Sequence, residues 1–437
     1  MFATAASREI TPTSTSTRLA GYASRIADSA KILSPLELSG LLLQEKDRRC
    51  LILSFDLLFI GPLLQDLINV RLARIGLNPA EVLLLASHTH FAPATDPTLP
   101  LLGPAEPSYV EAVADATEQL ATELLQRRPS AARLEVRRGR LAHSINRRRR
   151  WPFPSVSRLD GVKFGRVVMA PNPEGPTNEL ATVALFRSLE DHSVLAFLWN
   201  YTCHPVAAQP ADAVSPDYPG SVRDELRSIY GNVPVIFAQG FCGDIRPRLT
   251  TIERAGLIER LKHGARLAFS GPRFESSPEG EWTRWSNSLA KHVASIVERP
   301  AVLVDEPKSV SVSASSLPLE RIFSGICPDK PLTIQIVRLG GSLEIVAVSA
   351  EPSVGWCAIF DRVMPPEPGL IRIYAGYLGA AFGYLPTNRQ IPEGGYEVKG
   401  FQRLFGLDGN FKAPETEASV ERCVRNCATK LDKFNAA

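Results

Sequence analysis

EVLLLASHTH, residues 81–90, runs from an unbroken apolar stretch into two histidines one residue apart, and Pro93 follows closely enough to end regular structure. A strand with no polar side is a strand covered on both faces. Similar runs recur as CLILSF (50–55), VLAFLWN (194–200), VPVIFA (233–238), LTIQIVRL (332–339), EIVAVS (344–349) and LIRIYA (370–375). Between them the spacing of apolar residues predicts helices near 62–75 and from Ser108 onward. This alternation predicts an α/β fold: a central, mostly buried mixed or parallel sheet flanked by helices. Regular strands resume after two polar, proline-bearing stretches near 140–180 and 250–282, so one large domain over 1–437 with two surface insertions is expected, either of which could serve as a lid.

The chain has 437 residues, enough for a sizeable core, and its 44% hydrophobic and 22% charged content is that of an ordinary globular protein. With 49 basic and 46 acidic residues the formal charge is only +3, which disfavours a nucleic-acid or membrane surface as the main partner. Small-molecule chemistry is the expectation. No apolar run reaches the roughly 20 residues of a membrane span, and MFATAASREITPTSTST lacks the pattern of a secretory signal, so a cytoplasmic location is expected. The seven cysteines fall at scattered spacings and predict free thiols rather than a disulfide framework.

Ligands of α/β sheets collect beyond the carboxyl ends of the strands. Four polar clusters stand there: His88 and His90, Cys203-His204-Pro205, Gln239 to Asp244, and Ala350-Glu351-Pro352. In extended backbone, residues i and i+2 point the same way, so His88 and His90 would share a small volume. Imidazole is the commonest protein ligand of zinc, and a catalytic zinc takes three protein ligands and keeps a place for water. His204 and Glu351 would complete such a set. Cys203 could be a nucleophile, but adjacent residues in a strand face opposite ways, and a buried inert thiol is the simpler expectation for Cys203 and Cys242. The run Arg147 to Arg150 reads most simply as a solvated basic loop, one member of which could reach a carbonyl or carboxylate.

Taken in order, these clusters, REITP and LAGYASR near the start, Asn146-Arg147, Gly243-Asp244 and above all GYLPT followed by PEGGYEV resemble the N-terminal catalytic domain of the neutral/alkaline non-lysosomal ceramidase family. The resemblance implies zinc held by His88, His204, Glu351 and Tyr396. It places His90 beside the metal as a proton carrier and Arg147 in the pocket, with Tyr396 or Arg147 steadying an oxyanion. It implies cleavage of an N-acyl amide bond by metal-activated water.

The sequence also departs from the pattern. Phe91-Ala92-Pro93-Ala94 stands for Ser-Gly-Pro-Gly, and Gly-Asp-Ile-Arg-Pro puts Arg246 where the pattern has serine, which favours water over a serine nucleophile. No immunoglobulin-like C-terminal domain of the kind many members carry is expected, and the expected substrate widens from ceramide to smaller or more polar N-acyl amides. An esterase or lactonase on the same site and a non-catalytic acyl-amide binder are the alternatives. The metallo-β-lactamase pattern fails because Ala92 and Pro93 occupy the positions of its aspartate and histidine, and an amidohydrolase barrel would need further metal-binding residues after later strands.

Overall fold

A computed structural model describes residues 1–25, 27–157, 161–163, 165–249, 271–274 and 279–436. Most of the expected 250–282 insertion lies outside these residues. Nine strands form the larger sheet, in the order Val235–Gln239, Val194–Tyr201, Leu180–Ser188, Ser130–Arg140, Phe2–Glu9, Glu37–Glu45, Arg48–Phe55 and Val82–Ala86, with Leu303–Asp305 sharing the Ser130–Arg140 edge. Pairing is mixed. Val82–Ala86 runs parallel to Arg48–Phe55, and Val194–Tyr201 parallel to Val235–Gln239, while the strands between are antiparallel.

The sequence reading did not anticipate a second sheet. Val310–Leu317, Leu332–Leu339, Leu343–Val348 and Ile371–Ala375 form it, the last pair parallel, and it packs face to face on the first. Period-two alternation shows the layering directly. In Arg48–Phe55, Leu51, Leu53 and Phe55 join Leu64, Ile68 and Leu72 of the Pro62–Arg74 helix. Cys50 and Ile52, pointing the other way, meet Ile345, Ala347 and Ile373 of the second sheet. The Val82–Ala86 strand repeats the pattern, with Leu84 toward the helices and Leu83 and Leu85 between the sheets.

Helices Tyr218–Tyr230 and Glu279–Val297 cover the other half of the large sheet through Val222, Leu226, Leu289 and Val293. Helix Glu415–Ala436 places Val420, Val424 and Leu431 over the outer face of the small one. The result is a four-layer α/β/β/α sandwich. Strands such as Arg48–Phe55, Val82–Ala86, Leu343–Val348 and Ile371–Ala375 are covered on both faces, which is why they read as apolar runs, whereas Ser130–Arg140 and Val310–Leu317 are partly exposed and mixed in composition.

Three further observations bear on the sequence reading. All seven cysteines are free. No helix among the described residues is long and apolar enough to cross a membrane. The basic run is not a solvated loop: Ser144–Arg150 is a strand between Val167–Asn172 and Ile245–Pro247, and Asn146, Arg147 and Arg148 are buried in it. The solvated reading failed because the carboxylate that pairs with both arginines, Glu397, lies some 250 residues further along the chain.

Candidate active site

The parallel strands of both sheets end on the same side, and backbone hydrogen bonds join those ends. Ala86 N–H donates to Tyr377 O (3.2 Å), Gly376 N–H to Gln239 O (2.9 Å), Gly243 N–H to Pro352 O (2.8 Å) and Gly379 N–H to Leu84 O (2.9 Å). Contact is so close at Gly243 that a Cβ would lie 2.6 Å from Glu351 O. Chain beyond Val82–Ala86, Val194–Tyr201, Leu343–Val348 and Ile371–Ala375 therefore converges on one small volume.

Past Ala86 the backbone stays anchored, Ser87 N–H donating to Phe55 O (2.8 Å) and His88 N–H to Leu57 O (2.9 Å). His88 then takes φ 65°, a left-handed conformation that is costly for a side chain bearing Cβ. This corrects the extended-backbone argument. His88 and His90 do converge, their Nε2 atoms 3.3 Å apart, but at a left-handed turn rather than by strand alternation. Such a turn, over-determined by its anchors, is a feature typical of sites where a side chain must be aimed.

The two buried histidines are held in one tautomer by backbone carbonyls. His88 Nδ1–H donates to Leu58 O (3.0 Å), and His204 Nδ1–H to Cys242 O (2.6 Å) and Ile245 O (3.0 Å). Their Nε2 lone pairs are therefore directed inward. Glu351 Oε2 lies 3.3 Å from His88 Nε2 and 3.4 Å from His204 Nε2, and the donor nitrogens of His88, His90 and His204 all lie within 4.8 Å of one another. Tyr377 stacks on His88, ring centroids 4.0 Å apart, and directs its hydroxyl to Glu351 Oε2 at 3.4 Å.

Burial pulls the His204 imidazole down to about 4 and that of His90 well below its ordinary value, so both are neutral at pH 7. Burial alone would push the Glu351 carboxyl up, but the facing His88 and His204 rings outweigh it and keep the group ionised. Imidazoles clustered with a carboxylate in a largely buried pocket could hold a divalent cation, with His88, His204 and Glu351 facing one another most closely. Buried His204 Nε2, with no hydrogen-bond partner of its own, is the atom such an ion would satisfy.

Arg147 borders this cluster. Its Nε donates to Glu397 Oε1 (2.8 Å) and its Nη2 to the Tyr384 hydroxyl (3.1 Å), while Arg148 Nη1 donates to Glu397 Oε2 (2.7 Å). Burial opposes the Arg147 charge, but Tyr384 and Glu397 reverse the effect. Tyr396 is placed at one remove, its ring 5.5 Å from that of Tyr384 and 5.7 Å from the Arg147 guanidinium carbon. Among the described residues its phenol makes no hydrogen bond to His88, His204 or Glu351, and burial pushes its pKa up to about 12. Cys203 and Cys242 are fully buried, and desolvation raises both thiols, the state of inert cysteines rather than nucleophiles.

Sequence reasoning missed Tyr377, Tyr384 and Glu397. Tyr377 follows a strand as His88 does, so the strand-end rule applied to Ile371–Ala375 would have found it. Tyr384 and Glu397 sit inside GYLPT and PEGGYEV, but a buried counter-ion is not recognisable without its partner.

Asp244 ties the site's walls together, accepting from Val354 N–H (2.8 Å), Gln390 Nε2 (3.0 Å) and Asn146 Nδ2 (3.3 Å). Burial raises its pKa from 3.8 to about 6. Between those values the folded protein keeps a proton that the unfolded chain has lost. This group's contribution to stability is therefore complete below the lower value and disappears as pH rises through the upper one. Asp244→Asn is expected to remove that component, read as a changed slope of the denaturant midpoint against pH between about 4 and 6; an identical slope would contradict it.

The fold and the cluster together define a class: a four-layer α/β/β/α protein with a histidine- and carboxylate-lined pocket at the ends of its parallel strands. No protein-family model and no curated protein matches the chain. Solved structures do. The neutral ceramidase from Pseudomonas aeruginosa aligns with a TM-score of 0.73 over 99% of this chain and 74% of its own, at 17% identity. A ceramidase complexed with C2 aligns with a TM-score of 0.72 over 99% and 75%, again at 17%. At that identity the likeness establishes a shared fold.

Proposed function

We propose that the protein is a metal-dependent hydrolase that cuts an N-acyl amide bond, with zinc as the metal. The observation that carries this reading is the convergence of His88, His90, His204 and Glu351, with the His88 and His204 tautomers already set to present lone pairs to one point. The shared fold with ceramidases supports the amide as the bond. His88, His204 and Glu351 hold the cation and Tyr396 supplies the fourth protein donor, as the sequence resemblance implies. When bound, such an ion acidifies water and polarises a carbonyl.

The chain's own groups do the rest. His90, neutral and beside the cluster, accepts a proton as water adds to the carbonyl carbon and delivers it to the departing nitrogen. Arg147 has two N–H donors committed, to Glu397 and Tyr384, and the rest of its fork steadies the oxyanion. Tyr377 and the backbone carbonyls of Leu58, Cys242 and Ile245 keep the metal-binding side chains in place.

Metal analysis and turnover of an N-acyl amide panel test the reading. The purified protein is expected to carry about one equivalent of zinc. Chelation should abolish hydrolysis, and adding zinc back should restore it. His90→Ala should retain the metal and lose roughly 10²-fold or more in turnover. Hydrolysis that survives complete metal removal would refute the metal, and failure to cleave any amide while esters or lactones turn over would move the assignment to those substrates.

A further inference from the structure

Beside His90 lies a cleft of about 430 Å³, the size of a small-molecule site. Its walls include Tyr22, Arg25, Phe91, Arg246 and Phe274. It adjoins the histidine cluster directly: the Tyr22 ring centroid is 4.9 Å from that of His90, and Arg25 Nη1 donates to His90 O at 2.8 Å.

The two arginines here, both half-buried, differ from the buried arginines among the described residues. Arg147 and Arg148 share Glu397, Arg223 pairs with Asp56 and Arg372 with Glu344. Arg25 and Arg246 make no direct ion pair with a carboxylate among the described residues, Asp212 acting on Arg25 only from further off. Arg25 donates to the carbonyls of Ala20, His90 and Ala211 and lies 4.9 Å from the centre of the Tyr22 ring. Arg246 touches only the Met169 sulfur, at 3.9 Å, and the Phe274 ring, at 4.8 Å. Arg246 is half-buried, and partly removing a guanidinium from water without an anion beside it is unfavourable; burial pulls its pKa down. Arg25 is bonded to the His90 carbonyl, and Arg246 lines the same cleft as Arg25 and Tyr22, which places both cations on the His90 side of the cluster. A planar fork with unused donors is the chemistry that recognises carboxylate.

We propose that this cleft receives the amine half of the substrate and that this half carries an anionic group, a carboxylate in the simplest case, so that the amide cut is that of an N-acyl amino acid. The inference rests on the hydrolase reading for its orientation: His90 delivers the proton to the leaving nitrogen, so the leaving amine lies on the His90 side, against Arg25 and Arg246. In the reaction the acyl C–N bond breaks, the oxygen of one water joins the acyl carbon, and a proton passes to nitrogen. An acid and an amino acid leave, and no other reactant is required.

Calorimetry on the metal-loaded protein with N-hexanoylglycine and its uncharged analogue N-hexanoylglycinamide tests the site. The acid is expected to bind roughly 10-fold tighter or more. Arg246→Gln should bring the two affinities within about 3-fold, whereas Arg246→Lys should keep part of the preference. Equal affinities in the unmodified protein, no measurable binding of the acid, or a preference that survives Arg246→Gln would each overturn the proposal. Hydrolysis of the same pair separates it from the reading beneath it. Acid-selective binding with neither amide cleaved would leave the anion site and remove the hydrolase, while cleavage of both at equal kcat/KM would do the reverse.

Discussion

His88→Ala and Glu351→Ala are each expected to empty the metal site and to lower amide turnover by roughly 10³-fold or more. The size follows from the geometry. Glu351 Oε2 faces both His88 Nε2, at 3.3 Å, and His204 Nε2, at 3.4 Å, so removing the carboxylate leaves neutral imidazoles with nothing to balance a divalent charge. Removing the His88 ring also deletes the surface on which Tyr377 stacks. Both variants should remain folded, because the deleted groups lie at the strand ends and outside the cores between the layers. Metal content by mass spectrometry and turnover, read together, check the prediction; full metal occupancy in both variants would refute the ligand assignment.

The second large effect is on stability. Glu397→Ala is expected to cost about 3 kcal/mol, because it removes the carboxylate that two buried guanidinium groups share, leaving Arg147 with the Tyr384 hydroxyl and Arg148 with Glu393 at 3.2 Å and the Gly394 carbonyl. The Arg147 and Arg148 side chains are each 5% exposed, and Glu397 is 3% exposed, so water cannot replace the lost carboxylate. Glu397→Gln keeps an acceptor oxygen and should cost less. Denaturant unfolding of the three proteins measures the difference, and a loss below about 1 kcal/mol for the alanine variant would show that the arginines find other partners. Because Arg147 also donates to Tyr384 and lies over the Tyr396 ring, the same variant should lower turnover, through a loosened oxyanion donor.

The chain's local pattern carried its message unevenly. Leu51 to Phe55 and Val82 to Ala86 read as strands because every residue in them meets apolar neighbours, and that composition survives without knowledge of the fold. The same runs could not disclose a second sheet: Ile52 is equally apolar whether helix or sheet covers it. His88, His204 and Glu351 were legible because each follows an apolar strand. Arg147 and Arg148 were misread as a group because a charge run is ordinarily solvated, and nothing local distinguishes members that a distant glutamate will neutralise. Arg246 reads in the sequence only as a departure from a serine pattern; that no carboxylate pairs with it among the described residues is visible only with its neighbours in place.

Sequence alone determined the seven most apolar strands, the α/β class and the residue types that gather at the strand ends, because burial on both faces and the chemistry of imidazole and carboxylate are properties of short stretches; Phe2–Glu9, Glu37–Glu45, Ser130–Arg140, Leu180–Ser188 and Val310–Leu317, which carry more polar residues or no expected boundary, emerged only in the fold. Tertiary structure decided the face-to-face packing of two sheets, the left-handed turn that aims His88, the pairing of Arg147 and Arg148 with Glu397, and the gathering of Arg25 and Arg246 beside His90. These depend on which segments far apart in the chain share a volume and on how much water is left between them, and no local pattern encodes either.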